Sequence, residues 1–284
     1  MGTGAAGYGC PANLTSEPRA TFPKISKMSE LKTGSIPHAR EGRVATEAPS
    51  PKLPALAPAE PIQLSLGGDM RMALAAYADQ ALGTRLFLRG RHLLCPMMTV
   101  AREVPVSGRI LDIGCGHGLF TALLASGSSL RTIVGIDPSE SKIAVARGST
   151  KAFPNISYIQ GSVLDHHIDQ HGKPYDAITI LDVLYLLPDQ LVRDILAHAR
   201  ALLKDDGVFL LKTNDIRPRW KYALVRSEEF LMVKLLRYTL GGELHFRGSE
   251  QYLRMLDDAG FIAAVHKIDN WRPAPHRLFI CRPK

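Results

Sequence analysis

Residues 109–120, Arg-Ile-Leu-Asp-Ile-Gly-Cys-Gly-His-Gly-Leu-Phe, constrain the fold of this chain more than any other stretch. Ile110 to Ile113 form a short apolar run ended by glycine, which reads as a strand buried in a sheet. Gly114, Gly116 and Gly118 then make a turn with no side chains in the way. Leu119, Phe120, Leu123 and Leu124 follow at helical spacing, which predicts a helix from about His117. A bare glycine turn between a strand and a helix N-terminus brings free backbone N–H groups close to a ligand, and so suits a nucleotide-like molecule.

The spacing narrows the ligand. A dinucleotide fingerprint runs G-x-G-x-x-G and seats a pyrophosphate on the helix dipole. Here the glycines run G-x-G-x-G, and Leu119 stands where the third glycine would be. Asp112 lies at the strand end, where a negative charge repels a pyrophosphate but attracts an ammonium group. The stretch resembles the first motif of class I S-adenosylmethionine-dependent methyltransferases, of the type that act on small molecules. A plain Rossmann turn, as in a NAD-dependent enzyme, is the alternative.

The rest of the chain supplies the context such a turn needs. Strands are predicted at Thr132–Ile136, Ile156–Gln160, Ala177–Leu181 and Val208–Leu211, the last entered by an Asp205-Asp206-Gly207 turn. Helices are predicted from about Ser139 to Arg147 and from about Pro188 to Leu203, with Ser139 or Asp137 as cap of the first. Alternation of this length implies a parallel, doubly wound α/β sheet with right-handed crossovers. A helix over Ser249–Ala259, capped by Ser249, and strands over Phe261–Ile268 and Arg277–Cys281 close the chain. In the resembled family the order ends this way, with the last strand inserted antiparallel. The expected fold is therefore a mostly parallel seven-stranded, Rossmann-like methyltransferase sheet.

Three segments stand outside that rhythm. Residues 1–64 are rich in Pro, Ala, Ser, Gly and Thr, with Pro51, Pro54, Pro58 and Pro61 recurring too often for a helix, and read as a disordered tail before a domain over 65–284. From about Gly68 to Val104 the pattern is helical, with breaks expected near Gly90 and Pro96 and one amphipathic piece running through Tyr77 to Leu82. Helices here would cap the cofactor pocket, and Arg85, Arg89, Arg91 and His92 either clamp an acidic acceptor or form a solvated face. Residues 214–248 form an expected helical insertion. Its basic and aromatic Arg217–Tyr222 run and its apolar stripe at Phe230, Leu231, Val233, Leu235, Leu236 and Tyr238 suit a lid, or contact with a membrane or lipid through 217–240.

The resemblance covers about residues 109–212 and assigns roles. Asp112, Gly114, Cys115 and Gly116 line the cofactor turn. Asp137, followed by Pro138 at the end of the second strand, takes both ribose hydroxyls of S-adenosylmethionine, its alternative being an N-cap. Ser162 stands where the family usually has an acid for the adenine amino group, with the Val163 N–H beside it. Leu181 offers its carbonyl to the cofactor ammonium, Asp182 lines the methyl-transfer site, and Tyr185 faces the acceptor or packs in the core. In-line attack on a sulfonium methyl is served chiefly by positioning, though an oxygen acceptor of high pKa also wants a base. His245 is the candidate base, with an ordinary loop histidine as the alternative. His166, His167 and His171, beside Asp165 and Asp169, read as a polar loop and not as a metal site.

Composition sets outer limits. The net charge of +8 permits an anionic partner. However, no N-P-P-[YF] run follows the fourth strand to grip a flipped base, so nucleic acid is disfavoured as acceptor. The four cysteines, Cys10, Cys95, Cys115 and Cys281, are scattered and suit free thiols in a reducing compartment. No apolar run is long enough to span a membrane, and no secretory signal is expected after Met1, where no apolar stretch follows. The expected setting is cytoplasmic or peripheral at a membrane. The expected function is O-methylation of a small, apolar or lipid-like acceptor, with nucleic-acid methylation or a non-catalytic cofactor-binding module as alternatives.

Overall fold

The computed structural model describes residues 67–165, 175–217, 245–269 and 272–284. Its centre is a seven-stranded sheet built from β1 (Gly108–Ile113), β2 (Arg131–Asp137), β3 (Ile156–Gln160), β4 (Tyr175–Leu181), β5 (Leu203–Asn214), β6 (Phe261–Lys267) and β7 (His276–Pro283). The strands lie in the order β3-β2-β1-β4-β5-β7-β6. Those from β3 to β5 pair in parallel, while β7 runs antiparallel to both its neighbours. The order reverses between β1 and β4, which is where ligands of doubly wound sheets sit, beyond the carboxyl ends of the strands.

Two apolar layers cover the sheet. On one face α1 (Met70–Ala75), α2 (Leu82–Leu94), α3 (Met97–Arg102) and α4 (Leu119–Gly127) pack on Ile110, Ile133, Ala177, Leu210 and Leu278. On the other, α6 (Asp189–Leu202) and α7 (Ser249–Asp258) pack on Leu111, Ile113, Ile178, Ile180, Leu211 and Phe279. The strands are apolar on both faces because both faces are covered. Period-two alternation then places Asp112, Thr179, Lys212, Asn214 and His276 all on the first face, at the end of the sheet where the parallel strands finish.

The N-terminal helices are tied to this face by a buried guanidinium. Arg131 is fully enclosed and forms no ion pair among the described residues; its Nε donates to Pro105 O (2.7 Å), Nη1 to Leu124 O (2.7 Å) and Nη2 to Val104 O (3.1 Å). Three carbonyls at the ends of α3 and α4 thus converge on one side chain from the start of β2.

Several boundaries differ from the sequence reading. α4 begins at Leu119, with Gly118 ahead of it at φ +81°, so His117 belongs to the turn. α2 runs unbroken through Gly90, an open position where glycine costs some helix stability but removes no hydrogen bond. Pro96 does break the helix, and Tyr77 lies in a turn. The Asp205-Asp206-Gly207 segment lies within β5 as an irregularity, because Tyr175 pairs with Leu203 and Ala177 already with Val208. Ser249 is the first residue of α7 and not its cap; Gly248 holds the cap position, and Ser249 Oγ donates to Asp215 Oδ2 at 2.6 Å. α5 (Glu140–Ser149) is capped by Ser139, as expected, which accepts from Lys142 N. The tail, most of the 214–248 insertion, and His166, His167 and His171 lie outside the described residues. Among the described residues no helix is long and apolar enough to cross a membrane, and no cluster of metal-ligating side chains occurs.

Candidate active site

A cavity of about 490 Å³ opens over the ends of β1, β2, β4, β5 and β7, beneath α2. One end is the glycine turn. Gly114, Gly116 and Gly118 all have positive φ, at +73°, +56° and +81°. The turn is held to β2 by Gly114 N and Cys115 N, which both donate to Ile136 O (2.7 and 3.0 Å). It is also held by Asp137, whose Oδ2 accepts from Gly116 N at 3.0 Å while Oδ1 accepts from Ser139 N at 2.9 Å. The Asp137 carboxylate is thereby fixed in orientation and keeps lone pairs for further donors. The sequence left ribose binding and capping as alternatives; the carboxylate does engage the start of the next helix, and it lines the cavity as well.

Asp112 is the second carboxylate at this end. It is almost fully enclosed, and its Oδ1 accepts from Thr179 Oγ1 at 2.7 Å. Burial pushes its pKa up to about 7, against the Thr179 hydroxyl and the charge of Arg91, which act the other way. Among the described residues no salt bridge neutralises it. A buried carboxylate that lines a cavity has the chemistry to accept a cation. His117 lines the same cavity from the turn, its pKa lowered to about 4 by burial and then by the charges of Lys142 and Arg91, so it is neutral at ordinary pH.

The β4 end is organised differently. Leu181 and Asp182 both line the cavity, but the Leu181 carbonyl, expected to take an ammonium group, accepts from Arg91 Nη2 at a long 3.4 Å. Asp182 sits at φ +58°, the one non-glycine residue with positive φ among the described residues. Its Oδ1 is 2.5 Å from Lys212 Nζ, an ion pair nearly closed to solvent, and its Oδ2 accepts weakly from Cys95 Sγ. Burial alone would raise the Asp182 pKa; the Lys212 and Arg91 charges hold it below the usual value. Tyr185 is buried, lines the cavity and stacks on Phe246 at 5.1 Å.

The structure thus brings Asp112, Gly114, Cys115, Gly116, Asp137, Pro138, Leu181, Asp182 and Tyr185 around one space. It does not bring Ser162, Val163 or His245 to its wall. Val163 is packed in the opposite core layer, and Ser162 closes a turn with Asp165, whose Oδ2 accepts from Ser162 N at 2.7 Å. His245 donates its backbone N–H to Tyr185 O at 2.7 Å. Next to it, Arg247 ties the returning chain to the loop after β4, donating to Leu184 O, Leu187 O and Asp189. The arginine cluster of α2 is divided: Arg91 lines the cavity, whereas Arg85 and Arg89 border a separate recess of about 260 Å³ with Tyr77. Lys212, Asn214 and His276 were not anticipated. The signal for the first two was present, since Val208, Leu210, Lys212 and Asn214 continue one period-two face past the point where the apolar run ends.

The chain matches the methyltransferase domain family over residues 87–264. It belongs to that family, the class I S-adenosylmethionine-dependent methyltransferases. A ubiquinone biosynthesis O-methyltransferase of Vibrio campbellii is 29% identical over 127 residues, 44% of this chain and 52% of that protein. One from Haemophilus ducreyi is 28% identical over 199 residues, 66% of this chain and 81% of that protein. The chain spans about half the length of the first of these curated relatives. The fold agrees with that of an O-methyltransferase family protein from Burkholderia thailandensis, at a TM-score of 0.54 and 18% identity, covering 74% of this chain and 60% of that one. The cavity fits the methyltransferase cofactor on its own terms: Gly114 and Gly116 leave the backbone of the turn open to a ligand, and Asp112 presents a buried carboxylate to the same space.

Proposed function

We propose that this methyltransferase transfers a methyl group to the oxygen of a small, apolar or lipid-like acceptor. The observation that carries the reading is the character of the cavity. Its glycine end has two oriented carboxylates, and its remainder is walled largely by Phe87, Leu88, Leu94, Met97, Leu186 and Leu187, with Arg91, Lys212, Asn214 and His276 set among them. A volume of about 490 Å³ is in the range of small-molecule sites. That the curated relatives are named for O-methylation in ubiquinone biosynthesis supports both oxygen as the reacting atom and an apolar body.

In this reading Gly114, Cys115 and Gly116 hold the cofactor's amino-acid end through backbone groups, and Asp112 neutralises its ammonium. Asp137 accepts from the ribose hydroxyls, beside Pro138. The bound cofactor supplies a methyl group on positively charged sulfur, whose departure leaves a neutral thioether. The chain's own task is then to hold an oxygen in line and keep water out, which the α2 side chains do from above. The Asp182–Lys212 pair fixes the loop after β4 and presents Tyr185 to the same space.

Calorimetry with S-adenosylhomocysteine tests the cofactor half. The wild type is expected to bind it, and Asp137→Ala to bind at least about tenfold more weakly. Labelled methyl transfer from S-adenosylmethionine into separated lipid and aqueous cell extracts tests the acceptor half, with label expected in the lipid fraction. Equal affinity in Asp137→Ala, or label confined to macromolecules, would refute the respective half.

A further inference from the structure

Asn214 ends β5 and His276 opens β7, and they are register partners in the antiparallel ladder. Such partners carry their side chains on the same face, roughly 5 Å apart at Cβ. Both line the cavity, and both are nearly enclosed, at 5% and 3% exposure. Each holds an orphaned acceptor. His276 Nε2 lies 2.8 Å from the Leu94 carbonyl, which can only accept, so Nε2 carries the ring proton and Nδ1 is a bare lone pair. Neither His276 Nδ1 nor Asn214 Oδ1 has a hydrogen-bond partner among the described residues. Buried polar atoms are nearly always paired, and two adjacent orphans on one cavity wall call for donors from a ligand.

The pair is remote from the cofactor turn. β7 stands three strands from β1, which is on the order of 14 Å across the sheet. The charges that act on His276 keep it an acceptor. Burial and Lys212 push its pKa down to about 3, helped by Arg272, while Asp182 and the Leu94 bond act the other way. Its ring is thus neutral at ordinary pH. Apolar groups, Leu94, Leu187 and Ala274 among them, line the same space.

We propose that Asn214 and His276 form a two-acceptor subsite that grips two adjacent hydroxyl donors, so that the methyl acceptor is a vicinal diol on an apolar or aromatic body. This deepens the function proposed above and rests on it. Two neighbouring lone pairs on a rigid sheet discriminate best against ligands that bring only one donor, because the second orphan then stays unpaired.

The probe pair is nitrocatechol and para-nitrophenol, titrated by difference absorbance into the full chain at a mildly acidic pH, with and without S-adenosylhomocysteine. The wild type should bind nitrocatechol about five- to tenfold more tightly than nitrophenol. His276→Gln keeps a nitrogen donor for Leu94 but loses the Nδ1 lone pair; Asn214→Leu keeps the size but not the amide. In each, the preference should fall to about twofold or less, with affinity for S-adenosylhomocysteine unchanged. Thermal melting reports whether each variant folds, and if one does not, the other's ratio decides. A wild type with no preference, or a preference that survives in either folded variant, overturns the subsite. Failure of S-adenosylhomocysteine to bind would instead remove the cofactor assignment, while the nitrocatechol titration still reads the pair.

Discussion

The two ends of the cavity are made of different material. The glycine end is built almost wholly from one contiguous stretch and its neighbour strand: backbone N–H groups, three glycines at positive φ, and carboxylates at the tips of β1 and β2. The far end is built from side chains that are distant in sequence. Lys212 and Asn214 come from β5, His276 from β7, Cys95 and Leu94 from the end of α2. The first end is a local conformation, while the second exists only once the sheet has closed. Perturbations should therefore propagate differently: at the far end into stability, at the glycine end into ligand binding.

The sharpest break of that contrast is Lys212→Met. Its ammonium is fully enclosed and paired with Asp182 at 2.5 Å. Removing it strands a buried carboxylate, which should cost about 3–5 kcal/mol of unfolding free energy. The double variant Lys212→Met/Asp182→Asn should recover much of that loss, since asparagine tolerates the positive φ of Asp182 and carries no charge. Urea unfolding of the four members of this cycle measures the coupling. Additive losses would mean that the pair is not the unit argued here.

Within the glycine end, Gly118→Ala should be the exception that destabilises. A Cβ there would lie 2.4 Å from Tyr158 Oη and 3.0 Å from the Ala146 Cβ, at φ +81°. The Tyr158 hydroxyl is held by Thr121 and Thr150 and cannot withdraw freely. Left-handed strain and overlap together should cost roughly 2–4 kcal/mol, read as a lower urea midpoint at unchanged slope. A variant as stable as the wild type would show that the turn is not packed as described.

How much could be read from the chain follows the same division. The strand–turn–helix unit, the alternation behind it and Asp137 were legible because each is a local pattern with a local cause. The seven-stranded, mostly parallel sheet and its antiparallel last strand follow from the family resemblance and agree with the structure. What could not be read was the far end. The apolar run ends at Leu211, so the sequence pattern alone ends β5 there and leaves Lys212 and Asn214 outside the sheet. A fully buried lysine is sensible only with its partner in view, and Asp182 lies thirty residues earlier, just past the end of β4. His276 was missed for a similar reason: its tautomer is set by Leu94, far away in sequence. Ser162 and Val163, which the family pattern sets beside the adenine, do not line the cavity: Asp165 holds the Ser162 N–H, and the Val163 side chain packs in the opposite layer.

Asp112 gives a pH test of the glycine end. Its pKa is about 7 in the fold, raised mainly by burial, against 3.8 for the free side chain. A raised acid keeps its proton in the folded state where the unfolded chain has lost it. Stability of the ligand-free protein should thus fall as pH rises from about 4 to about 7, by up to ~1.4 kcal/mol per pH unit, and level off above. Asp112→Asn should flatten this slope. Binding of a cationic amino group favours the ionised form, so S-adenosylhomocysteine should release a proton from the wild type below pH 7 and none from the variant. Calorimetry in buffers of different ionisation enthalpy detects that proton, and its absence would remove Asp112 as the cation's partner.

The smallest effect on stability separates the two ends most cleanly. Gly116 has φ +56°, but a Cβ added there meets nothing within 4 Å of protein. Gly116→Ala should therefore cost only the left-handed penalty, about 1–2 kcal/mol, and less than Gly118→Ala. The open space beside it is the cavity itself, so a methyl group would stand where a ligand approaches the backbone. S-adenosylhomocysteine affinity should then fall by tenfold or more, on the order of 1.4 kcal/mol, while the nitrocatechol preference at β5 and β7 stays as in the wild type. A near-native fold with one end silenced and the other intact is the outcome that a two-part cavity requires. Loss of both functions together would mean that the glycine turn and the far subsite are one cooperative structure.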